Sequence, residues 1–280
     1  MNKSSVRRNG LLALTVVSLL AVYLFARTTK SDRSAEEMPL TTNELPELNE
    51  DTYLMELRMS LGKNDTLDLI DQAEKSGEFL LAASLYDSLQ QPLAAAVFRG
   101  KAAEKSGSDS LLLVAGDGFY DLLSFIKDKS IRLFVAQEAM SYYQKASDLD
   151  TAAGLPKVKM AAAYMDGLEQ PMQGVMLLLD VIKKDSNNID ANLLLGKYGI
   201  ISGQYGKAIA RLEKVVSLQP ENSEALFMLG EAYLNSGNQD KGIKCFEQSK
   251  KHVGSRELKE AIDSYIRQVK SGGGSHKKPS

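Results

Sequence analysis

The sequence predicts an all-α protein, an α-solenoid of stacked helix pairs, and three observations support this prediction. Small and large apolar residues recur at a constant offset of 34 residues, as Gly196 and Gly230 illustrate. Within each period, apolar residues recur three and four positions apart, which is the spacing of amphipathic helices. No stretch alternates apolar and polar residues for long enough to indicate a strand. A fixed period of this length is typical of a solenoid, in which each helix pair packs on its neighbours.

The amino-terminal residues predict attachment to a membrane. A basic flank, residues 1–10, precedes the uncharged stretch LLALTVVSLLAVYLFA. We expect residues 11–29 to form a transmembrane anchor or uncleaved signal, because bulky Leu19 and Leu24 occupy positions where cleavage requires small side chains. A removed signal is the alternative. If the source is bacterial, the expected location is the inner membrane, with the carboxy-terminal domain in the periplasm.

Residues 30–64 are expected to form an acidic, flexible tether. This stretch contains Pro39 and Pro46, and acidic residues outnumber basic ones. Within it, residues 51–61 have the apolar spacing of a short amphipathic helix that could dock loosely on the following domain. At the other end of the chain, residues 271–280 are expected to be a flexible basic tail.

The helical repeats follow one pattern of small and large residues. In the last repeat, 223–254, its positions are held by Leu226, Leu229, Gly230, Tyr233, Gly242, Phe246 and Ser249. The pattern resembles the tetratricopeptide repeat. That resemblance implies a right-handed α-solenoid of about five helix pairs over residues 65–254. Its clear repeats are 155–188, 189–222 and 223–254, and its weaker ones are 76–107 and 109–151.

A capping helix is expected directly after the array. Residues 255–270 place apolar side chains on one helical face and charged side chains on the other. The apolar positions are Leu258, Ile262, Ile266 and Val269. A terminal repeat needs such a cap because no further repeat covers its apolar face.

Composition and motifs argue against several classes of function. Beyond residue 33 the chain holds 28 basic and 35 acidic residues, a net charge of −7, which disfavours nucleic-acid binding. Phosphate-binding, dinucleotide-binding and paired metal-ligand motifs are missing from the sequence. Cys245 and His252 are seven residues apart on one helix, too far for a nucleophile pair. We therefore expect no enzyme, no cofactor, no metal and no small-molecule substrate.

The concave face, lined by the first helix of each pair, is the expected binding surface. In some members of the family that this chain resembles, Lys, Arg and Asn side chains on this face bind the terminal carboxylate of a partner. Here the equivalent positions include Lys159, Ala163 and Asp166, so the charged clamp is missing. A mixed apolar strip takes its place, and the candidate protein-binding residues are Leu193, Lys197, Ile200, Ile201, Phe227, Glu231 and Leu234. Alternatively, the cap helix or the tether covers this strip within the same molecule.

These observations predict a membrane-tethered interaction scaffold without enzymatic activity. Its concave groove would bind a partner protein or peptide and support assembly of an envelope complex. The alternative is a periplasmic chaperone or biogenesis factor that holds unfolded client segments.

Overall fold

The computed structural model describes residues 48–150 and 154–271, and all regular structure in these ranges is helical. The first seven helices are α1 Glu50–Leu61, α2 Asp65–Ser76, α3 Phe79–Ser88, α4 Pro92–Ser106, α5 Asp109–Leu122, α6 Lys129–Leu149 and α7 Gly154–Ala162. The remaining helices are α8 Pro171–Lys184, α9 Ile189–Ile201, α10 Tyr205–Leu218, α11 Ser223–Asn235, α12 Gln239–His252 and α13 Arg256–Lys270. The all-α prediction is confirmed for this part of the chain.

The helices belong to two compact units. The described part of the first unit extends from residue 48 to residue 194, and that of the second from residue 195 to residue 271. The boundary falls inside α9, between Leu194 and Leu195. Each predicted repeat contains one helix pair, from α3–α4 in the first to α11–α12 in the last. A further pair, α1–α2, precedes them, so the described residues contain six pairs where about five were expected.

Helix α1 confirms the short helix predicted over residues 51–61. Because it is part of the first unit, the flexible tether predicted over 30–64 is too long at its carboxy-terminal end. Asn49 caps α1 through a hydrogen bond from the Thr52 amide at 3.1 Å. Leu54 is buried in the core, and the Arg58 guanidinium pairs with Glu74 on α2. Arg58 also donates a hydrogen bond of 3.0 Å to the Tyr86 hydroxyl on α3. The free energy gained by burying the apolar face of α1 outweighs the preference of its acidic side chains for water, which had suggested a solvated segment.

Close packing within the helix pairs depends on a small residue that faces a large one. In the second unit, a Cβ added at Gly196 would lie 2.6 Å from Leu212 Cγ. One added at Gly230 would lie 2.6 Å from Phe246 Cε1. Both distances are far below van der Waals contact, so these helices approach as closely as they do only because the side chain is missing.

The end of α7 departs from regular α-helical geometry. A π-helical turn spans Ala163–Gly167, and the Leu168 amide donates to the Ala163 carbonyl at 3.0 Å. Gly167 fits closely against α6, because a Cβ at this position would lie 2.6 Å from Ala136 Cβ. The wider turn carries one extra residue per turn, and Asp166 lies within it.

The expected capping helix is present as α13. Ser255 caps its first turn by accepting a hydrogen bond from the Leu258 amide at 3.3 Å. The buried side chains of α13 are the four predicted ones, Leu258, Ile262, Ile266 and Val269. The first three of them pack with Phe227, Phe246 and Val253 in one apolar cluster of the second unit. Burying each such side chain stabilises the fold by roughly 1.5–3 kcal/mol.

The predicted anchor at residues 11–29 and most of the tail at 271–280 lie outside the described residues. None of the helices within the described ranges is both long enough and apolar enough to cross a membrane.

Substitution of Gly230 tests the close helix approach. Gly230→Ala should lower the free energy of unfolding by about 1–3 kcal/mol, because the new methyl group meets Phe246 and the Gly242 carbonyl. The matched control is Gly206→Ala on α10, where an added Cβ meets no atom within 4 Å. The control should leave stability unchanged or raise it by up to about 1 kcal/mol, because alanine favours helix. Urea unfolding followed by circular dichroism measures both, and equal midpoints would contradict the packing argument.

Candidate functional site

The predicted apolar strip is only partly open in the structure. Ile201, the last residue of α9, is 60% exposed, whereas its neighbour Ile200 is 8% exposed. On α11, Phe227 and Glu231 are buried at 6% and 1% exposure, and Leu234 is half-buried. The strip therefore divides into an exposed part and a covered part.

The cap helix covers two of the predicted positions. The Tyr265 ring on α13 lies 5.9 Å from the Phe227 ring, centroid to centroid, and 5.2 Å from the Phe246 ring. The Tyr265 hydroxyl lies 3.3 Å from Glu231 Oε1, within hydrogen-bond distance. A carboxylate buried this deeply requires polar partners, and Tyr265 provides one of them. Phe227 and Glu231 are therefore not open to a partner protein. At these two positions the cap helix covers the strip, which was the alternative interpretation of the sequence.

The division between Ile200 and Ile201 follows from helix geometry. Consecutive residues of an α-helix point about 100° apart, so two neighbouring isoleucines near the edge of the buried face can differ sharply in exposure. Ile200 points into the second unit and is a core residue. The open part of the strip in this unit consists of Lys197, Ile201 and Leu234, of which Ile201 is the most exposed. We call these three residues the Ile201 surface.

The amino-terminal member of the predicted strip belongs to the other unit. Leu193 lies on α9 in the first unit, where it is half-buried. Nearby, the Asn192 amide side chain donates 3.1 Å to the Ser186 carbonyl and 2.7 Å to the Asn188 carbonyl. These bonds fix the first turn of α9 to the preceding loop.

The first unit contains a network of hydrogen-bonded polar side chains that could not be recognised from the sequence. Lys159 on α7 donates to Asp117 Oδ1 at 2.6 Å, and the Tyr143 hydroxyl donates to the same oxygen at 2.8 Å. The Tyr120 hydroxyl donates to Asp166 Oδ2 at 2.6 Å. Lys159 and Asp166 were noted as positions of the concave face, whereas their partners lie 42 and 46 residues away in sequence. Only the fold brings these groups together.

Burial and negative charge shift the pKa values of this network. Burial, followed by the nearby Asp117 and Asp166 carboxylates, raises the pKa of Tyr143 and of Tyr120 well above the ordinary value for a phenol. Burial and the neighbouring Asp117 charge also raise the pKa of Asp121. At neutral pH the phenols are therefore neutral hydrogen-bond donors, and the network offers polar contacts rather than a nucleophile.

The one cysteine of the chain has the character of a packing residue. Cys245 is buried on α12, and burial, followed by the negative charge of Glu213, raises the pKa of its thiol to about 11. His252 ends the same helix and is exposed. Within the described residues, no group of three or more His, Cys, Asp or Glu side chains could hold a metal ion.

Comparison with known families identifies the repeat type of the second unit. Residues 200–259 match the family model of the tetratricopeptide repeat. Over these residues the chain is similar to the tetratricopeptide repeat. In sequence, the chain is similar to the peroxisomal targeting signal receptor of Candida albicans, with 37% identity over 124 residues. That match covers 44% of this chain and 21% of the receptor, so the chain spans about a fifth of the relative's length.

Two solved structures show that the likeness in fold extends further than the family match. PilW, described as a widely conserved type IV pilus biogenesis factor, gives a TM-score of 0.53 at 17% identity, covering 70% of this chain and 86% of PilW. A thermophilic tetratricopeptide-repeat protein of Thermus thermophilus gives a TM-score of 0.51 at 14% identity, covering 69% of this chain and 98% of that protein. At these identities the likeness concerns the fold alone.

The tyrosine network should make the stability of the protein sensitive to alkaline pH. Because folding raises the pKa of Tyr143, its stabilising contribution is complete below about pH 10 and is lost as the pH rises further. Each pH unit above 10 should destabilise the wild type by up to about 1 kcal/mol more than the Tyr143→Phe variant. Urea unfolding at pH 9, 10 and 11 measures this difference in slope. Tyr205→Phe, outside the network, is the control, and equal slopes for wild type and Tyr143→Phe would contradict the assignment.

Proposed function

We propose that this protein is a non-enzymatic interaction scaffold that binds a segment of a partner protein and supports assembly of a larger envelope complex. The observation that carries the proposal is the tetratricopeptide match at residues 200–259, since such arrays act in general as protein-interaction modules. The rigid helix pairs provide a fixed surface, and binding to a rigid surface orders fewer groups of the scaffold.

The Ile201 surface is the proposed contact in the second unit. An exposed isoleucine at a helix end, one helical turn after a lysine, suits an apolar anchor residue of a bound peptide. The Lys197 ammonium lies 5.3 Å from the Tyr198 ring centroid, so a cation and an aromatic face are also present on α9. The covered residues Phe227 and Glu231 stabilise α11 from the inside and are not part of this contact.

The membrane anchor and the periplasmic location remain part of the proposal. They rest on the uncharged run within residues 11–29 and on its basic flank, 1–10. In this arrangement the helical domain lies outside the bilayer, where the Ile201 surface can meet soluble or membrane-bound partners.

A second candidate function, a holding chaperone for unfolded segments, is favoured by one feature of α8. Met172, Met176 and Leu179 lie on one helical face and are 68%, 65% and 45% exposed. Flexible methionine side chains suit promiscuous apolar contacts. Crosslinked pulldown separates the two functions, because a scaffold yields one stoichiometric partner and a chaperone yields many unfolded clients.

Charge introduced at Ile201 should strongly reduce partner capture. Ile201→Glu places a carboxylate in the proposed apolar contact and should weaken binding by roughly 30-fold, equivalent to about 2 kcal/mol. The fold should be unaffected, because the position is exposed. The measurement is recovery of the stoichiometric partner after crosslinking in membranes of the source cells, quantified by mass spectrometry.

The control for this experiment is Leu218→Glu, at another exposed apolar residue of the same unit. Ile200→Glu is unsuitable, because it would bury a charge and unfold the helix pair. Equal recovery with Ile201→Glu and wild type would overturn the assignment of the Ile201 surface.

The proposed topology can be tested separately in a bacterial host. A reporter that is active only in the periplasm, fused after Ser280, should be active if the amino terminus is cytoplasmic. The control fuses the same reporter before Met1, where it should be inactive. An expressed but inactive fusion after Ser280 would show that the helical domain does not reach the periplasm.

A further inference from the structure

A second apolar surface, in the first unit, lies between α2 and α3. These helices are joined by only Gly77 and Glu78, and Gly77 adopts the left-handed conformation with φ of 73°. An open groove of about 280 Å³ runs between them. Its apolar lining consists of Leu69, Ala73, Leu81 and Leu85.

The floor of the groove is closed, whereas its rim is open to solvent. Ala73 is buried, but Leu69 is 50% exposed and Leu81 is 46% exposed. Two large leucines exposed on facing helices leave apolar area in water, which is unfavourable unless another group covers it. The groove belongs to the first unit and is separate from the Ile201 surface in the second.

Acidic side chains lie at both ends of this groove. Leu69 and Gln72 line it, and the helical spacing of three and four residues places Asp65 and Asp68 on the same face of α2. Glu78 lines the opposite end, at the turn between the helices. Within the described residues, no hydrogen bond or ion pair engages these three carboxylates, in contrast to Asp71 and Glu74, which pair with Arg58.

The charge around the groove is strongly negative. Residues 48–91 contain nine acidic side chains and three basic ones, a net charge of −6. Of the three basic side chains, Arg58 is held by Asp71 and Glu74. Lys105 on α4 also lies near the turn, where its ammonium donates to the Gly77 carbonyl at 3.0 Å. Lys105 therefore offsets part of the negative charge at the Glu78 end of the groove.

We propose that this groove is a docking site for a short amphipathic helix of another protein, with apolar side chains at its centre and lysine or arginine at its ends. The apolar centre would cover Leu69 and Leu81, and the basic ends would meet Asp65, Asp68 and Glu78. Helix α2 has 12 residues and is about 18 Å long, so it matches a partner helix of about three turns. Docking of an amphipathic helix into an apolar groove through residues at i, i+3, i+4 and i+7 is a recurrent mode of recognition.

This surface goes beyond the proposed scaffold function, because it would give the first unit a binding specificity of its own. It specifies the charge of its partner, whereas the Ile201 surface does not. The two surfaces can be inactivated independently by substitutions in different units.

The first test measures binding of defined peptides to the full 280-residue chain. The probe is a fluorescein-labelled 14-residue helix of leucine and lysine, and its counterpart carries glutamate in place of lysine. Fluorescence anisotropy should show saturable binding of the lysine peptide, weakened by salt, and no binding of the glutamate peptide. Failure of the lysine peptide to bind, or equal binding of both peptides, would overturn the proposal.

Matched substitutions locate the binding. Leu81→Gln should weaken binding of the lysine peptide by about fivefold or more, while Leu80→Gln, at an adjacent leucine that is 58% exposed and outside the groove, should change it by less than about twofold. Asp68→Lys should weaken it by a similar factor. Asp109→Lys, in the first turn of α5, is the matched control, because it makes the same charge change in the first turn of another helix. Circular dichroism verifies that each variant is folded, and equal affinities within either pair would exclude the groove as the site.

Photocrosslinking distinguishes the possible occupants. Gln72→Cys places a reactive thiol in the groove, and a benzophenone maleimide attached there should crosslink to the lysine peptide. Cys245 is buried and has a raised thiol pKa, so it reacts slowly, and labelled wild type serves as the background. Crosslinks formed without peptide, either to residues 1–33 of the same chain or to a second copy, would show that the groove is already occupied and would overturn the proposal.

Discussion

The structure depends on one packing constraint, the placement of a small residue opposite a large one within a helix pair. Gly116 faces Tyr143 in the first unit, and Gly230 faces Phe246 in the second. Each pair has room for one of the two side chains only, so the relative rotation of its helices is fixed. That rotation decides which residues face the next pair and which face solvent. Exposure of Ile201 and burial of Ile200 follow from the same geometry on α9.

Much of the fold could be predicted from the sequence, because the determinants of a repeat array are local. The 34-residue spacing located the last three helix pairs, and the stripe from Leu258 to Val269 located the cap. The candidate site was harder to predict. The sequence shows that Phe227 and Glu231 share a helical face, but the docking angle of α13, which covers that face through Tyr265, is a tertiary property. Contacts between distant residues, such as Tyr120 with Asp166, leave no periodic signal at all.

The two units present surfaces of different chemistry. The first unit has an acidic apolar groove between α2 and α3 and a network of phenols and carboxylates centred on Asp117. The second has the smaller Ile201 surface and a closed aromatic cluster beneath the cap. Rigid helix pairs hold each set of side chains in place, so recognition would depend on which side chains occupy the exposed positions rather than on rearrangement of the backbone.

The two faces of α13 also bear on self-assembly. The contact between two stacked repeats is heterologous, because each repeat uses a different surface. An uncovered terminal repeat could therefore stack on a repeat of another copy, and such contacts could continue into a filament. The outward face of α13 instead carries charged side chains such as Arg256 and Glu260, which pair at 2.8 Å and are largely exposed. Stacking another repeat on this face would remove those charges from water without an apolar surface in return. The charged outward face of α13 therefore disfavours head-to-tail polymerisation at this end of the second unit.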